Sequence, residues 1–181
     1  MSKYKRRTVL LLALAMGAFL AWLLYSAMQP PVLPIGAEMP AMAIETCAGN
    51  DSLRLESGDG QAEKKSGALA TLVMLFSTQC PHCLYELDLF EKNLTRLSNI
   101  RLFLLTPEKE FKPCEVDPRW MKLALAENVT WARVAESAFG RSFGAAISPS
   151  LFFFDNSGIL RKKIRGEAKF DKILECCQNR F

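Results

Sequence analysis

In TLVMLFSTQCPHC, residues 71–83, an apolar run leads into two cysteines, and the rest of the predicted fold is built around this segment. Residues 71–76 are apolar or β-branched without interruption, which is typical of a strand buried on both faces. After Cys83 the apolar positions change to a helical period and form one stripe: Leu84, Leu87, Phe90, Leu94 and Leu97. The charged side chains of this segment are predicted to face away from that stripe: Glu86, Glu91, Lys92 and Arg96. The two cysteines therefore lie at a strand-to-helix junction.

This junction favours sulfur chemistry at Cys80, because the first turn of a helix has unpaired N–H groups and a positive dipole end that favour a thiolate. We predict that Cys80 is the nucleophile and that Cys83, one turn later, resolves a mixed disulfide. Pro81 suits the first helical position, where no N–H partner is needed. His82 can carry positive charge beside the thiolate. These four residues form the predicted catalytic site.

A C-x-x-C pair is also half of a tetrahedral zinc site. The chain has 1 histidine, which lies inside the motif, and no second C-x-x-C pair among its other cysteines: Cys47, Cys114, Cys176 and Cys177. The alternative function is a non-enzymatic copper or zinc carrier that uses Cys80 and Cys83 with help from Met39 or Met42. The sequence favours a redox dithiol, with no metal and no cofactor.

The amino terminus has the pattern of a membrane anchor. Four cations, Lys3, Lys5, Arg6 and Arg7, precede an uncharged stretch, and residues 9–27 are apolar enough to cross a bilayer and contact membrane lipid. This charge distribution places the amino terminus in the cytoplasm. We expect a single-pass protein of the inner (cytoplasmic) membrane with its catalytic domain on the periplasmic or extracytoplasmic side. A cleaved signal peptide shares the same pattern and is the alternative.

The domain organisation follows from this pattern. Residues 1–28 are the basic stub and anchor, residues 29–34 form a linker with three prolines, and residues 35–181 form one domain. Outside the amino-terminal cations, 19 Lys and Arg balance 19 Asp and Glu. A nucleic-acid partner would require a basic face, so no nucleic acid is expected.

Periodicity along residues 35–181 predicts an α/β domain. An early hairpin is expected from residues 43–46 and 52–55. Later strands are predicted at residues 100–105, 150–154 and 159–165, and later helices at residues 120–127, 131–139 and 169–178. This order predicts a mixed sheet flanked by helices, with the dithiol at the carboxyl end of a central strand, where open α/β sheets bind ligands.

Two markers of this chain resemble the thioredoxin superfamily: Cys80-Pro81-His82-Cys83, and Ser148-Pro149 just before the strand that begins at Leu151. The resemblance covers roughly residues 35–177. It implies a thioredoxin-like fold in which Pro149 is cis and lies against the dithiol, while the backbone of Ser148 docks the substrate. From the residues alone, an ordinary trans proline that opens a strand is the alternative.

Within that superfamily, the anchor, the lead-in at residues 35–40 and the early hairpin are similar to the TlpA/ResA-like membrane-tethered thiol-disulfide oxidoreductases. Pro81-His82 is instead the dipeptide of DsbA-like oxidases. The resemblance implies an enzyme that exchanges disulfides with exported protein substrates that carry thiols or disulfides. It also implies a membrane or periplasmic redox partner that recharges the dithiol. The direction of electron flow stays open.

Two residues depart from the superfamily pattern. Met74 stands where many members have a buried acid, and Gln79 stands where many have tryptophan. Water or another carboxylate must therefore take the proton from Cys83. A peroxiredoxin pattern is disfavoured, because it would require proline at Val73 and threonine at Ser77.

An extracytoplasmic location permits structural disulfides. Cys47 and Cys114 are candidates for one bridge, although Cys114 is also a candidate for a third redox thiol. Cys177 is expected in the core, because it lies on the apolar face of the last helix.

Overall fold

The computed structural model describes residues 3–28, 32–48, 70–144 and 147–178. It divides into two compact units, Met1–Pro31 and Val32–Phe181. Helix α1, Lys3–Met28, belongs to the first unit. Within the part of the chain that the structure describes, no helix has both the length and the apolar character needed to cross a membrane. The predicted transmembrane helix is therefore not confirmed.

The second unit is built on a mixed sheet of five strands, in the order β3-β2-β1-β4-β5. Their bounds are β1 Ala70–Leu75, β2 Ile100–Thr106, β3 Val129–Arg133, β4 Ser150–Asp155 and β5 Leu160–Arg165. β1, β2 and β3 are parallel, whereas β4 and β5 run antiparallel to their neighbours. Every residue of the central strand β1 is buried, as its unbroken apolar run predicts.

Helices cover both faces of this sheet. Their bounds are α2 Pro81–Lys92, α3 Met121–Leu125, α4 Glu136–Phe143 and α5 Phe170–Gln178, with short 3-10 helices at Leu94–Leu97 and Pro118–Trp120. Leu72 and Met74 of β1 pack into one core with residues of α2 and α5. Val73 and Leu75 point to the other face and pack into a second core with residues of α4. Side chains that alternate along β1 therefore contribute to the cores on both faces of the sheet.

The predicted helix over residues 131–139 is wrong at its start. Residues 129–133 form β3, which pairs in parallel with β2. The three residues Val129-Thr130-Trp131 are β-branched or aromatic, so they suit a strand better than a helix. The helix begins only at Glu136 and continues past Gly140 to Phe143.

The predicted early hairpin is also wrong in its first arm. Residues 43–46 form no strand, and Glu45 makes an isolated antiparallel bridge with Arg133 at the edge of β3. The second arm, residues 52–55, lies outside the described residues, as do residues 29–31 of the predicted linker. A disulfide joins Cys47 to Cys114, which confirms the candidate bridge. It attaches the segment of residues 32–48 to the loop that follows β2.

Candidate active site

Cys80 is the residue that caps the amino end of α2, and Pro81 is the first residue of that helix. The Cys80 side chain is half-buried and makes no hydrogen bond to its own helix. Its Sγ lies 3.7 Å from the backbone oxygen of Ser148. The sulfur is thus placed at the positive end of the helix dipole, as the sequence predicts, and against the loop before β4.

Cys83 lies one turn further along α2, and its environment differs sharply from that of Cys80. It is a free thiol that is 0% exposed. Its Sγ accepts a hydrogen bond of 3.4 Å from the backbone N–H of Ser77. Burial is the main cause that raises the pKa of Cys83 to about 12; the neighbouring Cys80 and Glu86 act in the same direction, and the Ser77 N–H opposes them. Cys83 therefore keeps its proton until a base removes it.

The Ser148–Pro149 peptide is cis, as the resemblance implies. Pro149 is buried at the start of β4, and its carbonyl accepts a hydrogen bond of 2.8 Å from the N–H of Gly166. The structure thus brings the Ser148 backbone beside Cys80.

His82 makes a contact that the sequence does not predict. Its Nδ1 lies 2.6 Å from Oε2 of Glu167, and the two side chains are 66% and 44% exposed. Glu167 belongs to the short segment between β5 and α5. The contact joins α2 to that segment, while the effect of His82 on the thiolate stays a prediction.

Glu86 is a site residue that sequence reasoning placed wrongly, because it does not face away from the core. It is 0% exposed, and its Oε1 accepts a hydrogen bond of 2.7 Å from the N–H of Ala168. Its Oε2 has no hydrogen-bond partner among the described residues. Burial raises the pKa of Glu86 to about 7, although the Ala168 N–H opposes this shift. The carboxylate can therefore exchange a proton near neutral pH.

A signal for Glu86 was present in the helical spacing. It lies three residues after Cys83 and four before Phe90, and all three are buried on one face of α2. Treating every charged residue as outward-facing hid this position. Glu86 is thus a buried carboxylate on α2, whereas Met74 stands at the usual position of a buried acid on β1.

Glu108 is a further site residue, and no pattern in the sequence points to it. It lies just after β2 and accepts three hydrogen bonds from the loop before Cys80: 2.6 Å from Ser77 Oγ, 2.6 Å from Thr78 Oγ1 and 2.9 Å from the Thr78 N–H. Burial acts to raise the pKa of Glu108, but these hydrogen bonds outweigh it and lower the pKa. The carboxylate is therefore ionised and holds the loop of residues 77–79.

The alternative function, a copper or zinc carrier, depends on which side chains lie near the two cysteines. Among the residues described, no group of three or more His, Cys, Asp or Glu side chains could hold a metal ion. Met39 and Met42 are buried in the core on the α4 face of the sheet, whereas Cys83 is buried in the core on the other face. The expectation that either methionine could assist the cysteines is therefore wrong.

No protein-family model matches the chain, and no curated protein matches it either. Solved structures do resemble it. A peroxiredoxin-like protein from Aquifex aeolicus has a TM-score of 0.56 and 15% identity, over 80% of this chain and 86% of that one. StoA from Bacillus subtilis has a TM-score of 0.52 and 14% identity, over 77% of this chain and 98% of that one.

An exposed lipoprotein thioredoxin from Streptococcus pneumoniae has a TM-score of 0.50 and 17% identity, over 78% of this chain and 98% of that one. At such low identity the likeness concerns the arrangement of strands and helices rather than the chemistry. The mixed five-stranded sheet, the helices on both of its faces and these similar structures together show that the chain has a thioredoxin-like fold.

Proposed function

We propose that this protein is a thiol-disulfide oxidoreductase that exchanges disulfides with exported protein substrates through Cys80 and Cys83. The observation that carries the proposal is the inequality of the two thiols. Cys80 is half-buried at the end of a helix beside the Ser148 carbonyl, whereas Cys83 is fully buried one turn later. This difference supports a division of roles in which Cys80 meets the substrate and Cys83 acts only on Cys80.

The proposed reaction begins when the Cys80 thiolate attacks one sulfur of a substrate disulfide. A bond forms between Cys80 and that sulfur, the substrate disulfide breaks, and the departing thiolate takes up a proton. Cys83 then loses its proton and attacks Cys80 Sγ, which releases the second substrate thiol. Two electrons and two protons pass to the substrate, and Cys80 and Cys83 become a disulfide. The reverse sequence oxidises a substrate dithiol, and the midpoint potential sets the direction.

Four neighbouring residues support these steps. Glu86 accepts the proton that Cys83 releases, because its raised pKa of about 7 lets it gain and lose a proton near neutral pH. Ser148 and Pro149 dock the substrate backbone, since the Ser148 carbonyl lies 3.7 Å from the attacking sulfur. His82, paired with Glu167, modulates the charge near Cys80.

The proposed setting is the outer side of the cytoplasmic membrane, with residues 9–27 as the anchor. This part of the proposal rests on the basic start and the uncharged stretch of the sequence. The partners would be exported proteins and a membrane or periplasmic protein that recharges the dithiol. Fractionation of the full chain and of a chain that begins at Val32 tests the anchor. Recovery of both chains in the soluble fraction would contradict it.

The activity is tested by following the reduction of a disulfide-bonded protein in the presence of a small dithiol. The wild-type chain should accelerate this reaction, and Cys80→Ala and Cys83→Ala should both abolish the acceleration. Cys176→Ala is the matched control, because Cys176 is a buried free cysteine of α5, outside the site. Equal activity in wild type and Cys80→Ala would overturn the proposal.

A further inference from the structure

We propose that Glu108 is a positioning residue for the resolving step: it holds the loop before Cys80 so that the Ser77 N–H stabilises the Cys83 thiolate. The inference rests on the proposed function, in which Cys83 attacks Cys80. It assigns a role to a carboxylate that lies outside the C-x-x-C motif and touches neither sulfur.

The first observation is the number and type of bonds that Glu108 makes. Both carboxylate oxygens accept hydroxyl donors at 2.6 Å, from Ser77 and Thr78, and Oε1 also accepts the Thr78 N–H at 2.9 Å. Hydrogen bonds to an ionised acceptor are shorter and about twice as strong as neutral ones. The loop is thereby fixed by its side chains and its backbone at once.

The second observation is that the same loop continues to both cysteines. The Ser77 N–H donates to Cys83 Sγ at 3.4 Å, and the Cys80 N–H donates to the Ser77 carbonyl at 3.3 Å. The Gln79 N–H donates to Ser77 Oγ at 3.1 Å. Displacement of Ser77 would therefore remove the hydrogen-bond donor that faces the buried sulfur of Cys83.

The effect should appear in one step of the reaction. A thiolate is a stronger acceptor than a thiol or a disulfide sulfur, because it carries the charge. The Ser77 N–H therefore favours the form of Cys83 that attacks, and it opposes the burial that raises the pKa of this thiol. The titratable groups that act on Cys83 are Cys80 and Glu86. Substitution of Glu108 leaves both in place.

The experiment follows dithionitrobenzoate reacting with the full chain under single-turnover conditions. Cys80 attacks the reagent disulfide and expels one nitrothiobenzoate thiolate; Cys83 then bonds to Cys80 and expels the second. One reagent disulfide becomes two thiolates, the two thiols become a disulfide, and two protons are released. The first phase depends on reagent concentration, and the second does not.

We expect Glu108→Ala to slow the second phase by roughly tenfold at pH 7. A rise of one unit in the pKa of Cys83 lowers its thiolate fraction by this factor. The pH profile of this variant should keep the inflection near pH 7, because Glu86 is left in place. Glu108→Gln keeps an acceptor oxygen and should stay within about threefold of wild type, as a hydrogen-bonding role requires. Glu110 is an exposed carboxylate in the same loop as Glu108, so Glu110→Ala should leave both phases unchanged.

A second pair of variants covers the case in which Glu108→Ala does not fold. Thr78→Val removes one hydroxyl donor at constant shape and should slow the second phase by about threefold, whereas Thr78→Ser should not. Two results would overturn the inference if the wild type still releases the second thiolate. One is an unchanged second phase in Glu108→Ala. The other is a second phase that Glu108→Gln slows as much as Glu108→Ala does. Failure of wild type to release it would overturn the proposed function as well.

Discussion

At the scale of single residues, the buried carboxylate that acts on Cys83 lies on α2 and not on β1. Met74 of β1 is apolar and fully buried beside the dithiol. Glu86, one turn after Cys83, provides the buried carboxylate. Its pKa of about 7 suits a group that must accept a proton and return it in each cycle.

Glu86→Gln should therefore slow the resolving step. In the wild type the rate should rise as Glu86 ionises through pH 7, near its pKa. The amide variant should lose this inflection and be slower by on the order of 10²-fold, the usual contribution of a general base. Stopped-flow measurement of the second phase across pH 5–9 tests this, with Glu175→Gln, exposed on α5, as the control. An inflection that persists in Glu86→Gln would assign it to another group.

The same residue should make stability depend on pH. Burial raises the pKa of folded Glu86 from 4.5 to about 7, so the folded state binds the proton more tightly than the unfolded state does. Stability should then be highest below pH 4.5 and fall as pH rises towards about 7, by at most roughly 3 kcal/mol. Urea unfolding of wild type and Glu86→Gln at pH 4.5 and 8 measures this difference. The prediction would be contradicted if the free energies of unfolding of wild type and Glu86→Gln differed by the same amount at both pH values.

The sequence predicts a site residue when its position is determined by residues close to it in the chain. Cys80 and Cys83 follow from a motif at a change of period, and Glu86 could have been found from helical spacing. Glu108 could not, because it is 30 residues from Thr78 and meets the loop only where β1 and β2 end side by side.

At the scale of elements, the long apolar strands were predicted within one or two residues, whereas β3 was missed. β3 has only five residues, of which three are half-buried, and its sequence contains no unbroken apolar run. Its pairing with β2 decides its conformation, and such a contact leaves no local pattern. The start of α4 was misplaced as a consequence.

Two glycines of α4 test where this helix ends. Gly140 lies inside the helix and has open space at its Cβ position, so Gly140→Ala should stabilise the fold by about 0.5–1 kcal/mol. Gly144 caps the helix at φ +93°, and a Cβ there would lie 2.9 Å from Val32 Cα. Gly144→Ala should therefore destabilise the fold by more than about 1 kcal/mol. Equal effects of the two variants on the urea midpoint would contradict these helix bounds.

At the scale of the whole domain, the sheet order places Cys80 after the central strand, and the Cys47–Cys114 disulfide joins two distant segments. These cysteines are separated by 67 residues, and Cys114 lies in the loop that begins beside Glu108. The bridge closes a long loop and restricts the unfolded chain. The sequence named this pair only as a candidate, because spacing alone does not fix which cysteines meet.

Removal of this bridge should weaken the domain without removing its redox site. Cys47→Ala/Cys114→Ala should lower the free energy of unfolding by about 2–4 kcal/mol. A Cys80→Ala/Cys83→Ala background removes the active-site thiols, so that a reductant cannot act on a disulfide between them. In that background a reductant should destabilise the chain that retains Cys47 and Cys114, and should leave the quadruple variant unchanged. Equal stability with and without the bridge would show that it contributes nothing to the fold.

In the proposed reaction, Cys80 meets the substrate and Cys83 acts only afterwards. The most direct measurement is mass spectrometry of the adduct formed with a synthetic peptide that contains one internal disulfide. Cys83→Ala should form a stable mixed disulfide at Cys80, and Cys80→Ala should form none, because Cys83 is 0% exposed. An adduct at Cys83 in Cys80→Ala, or none at Cys80 in Cys83→Ala, would contradict the account.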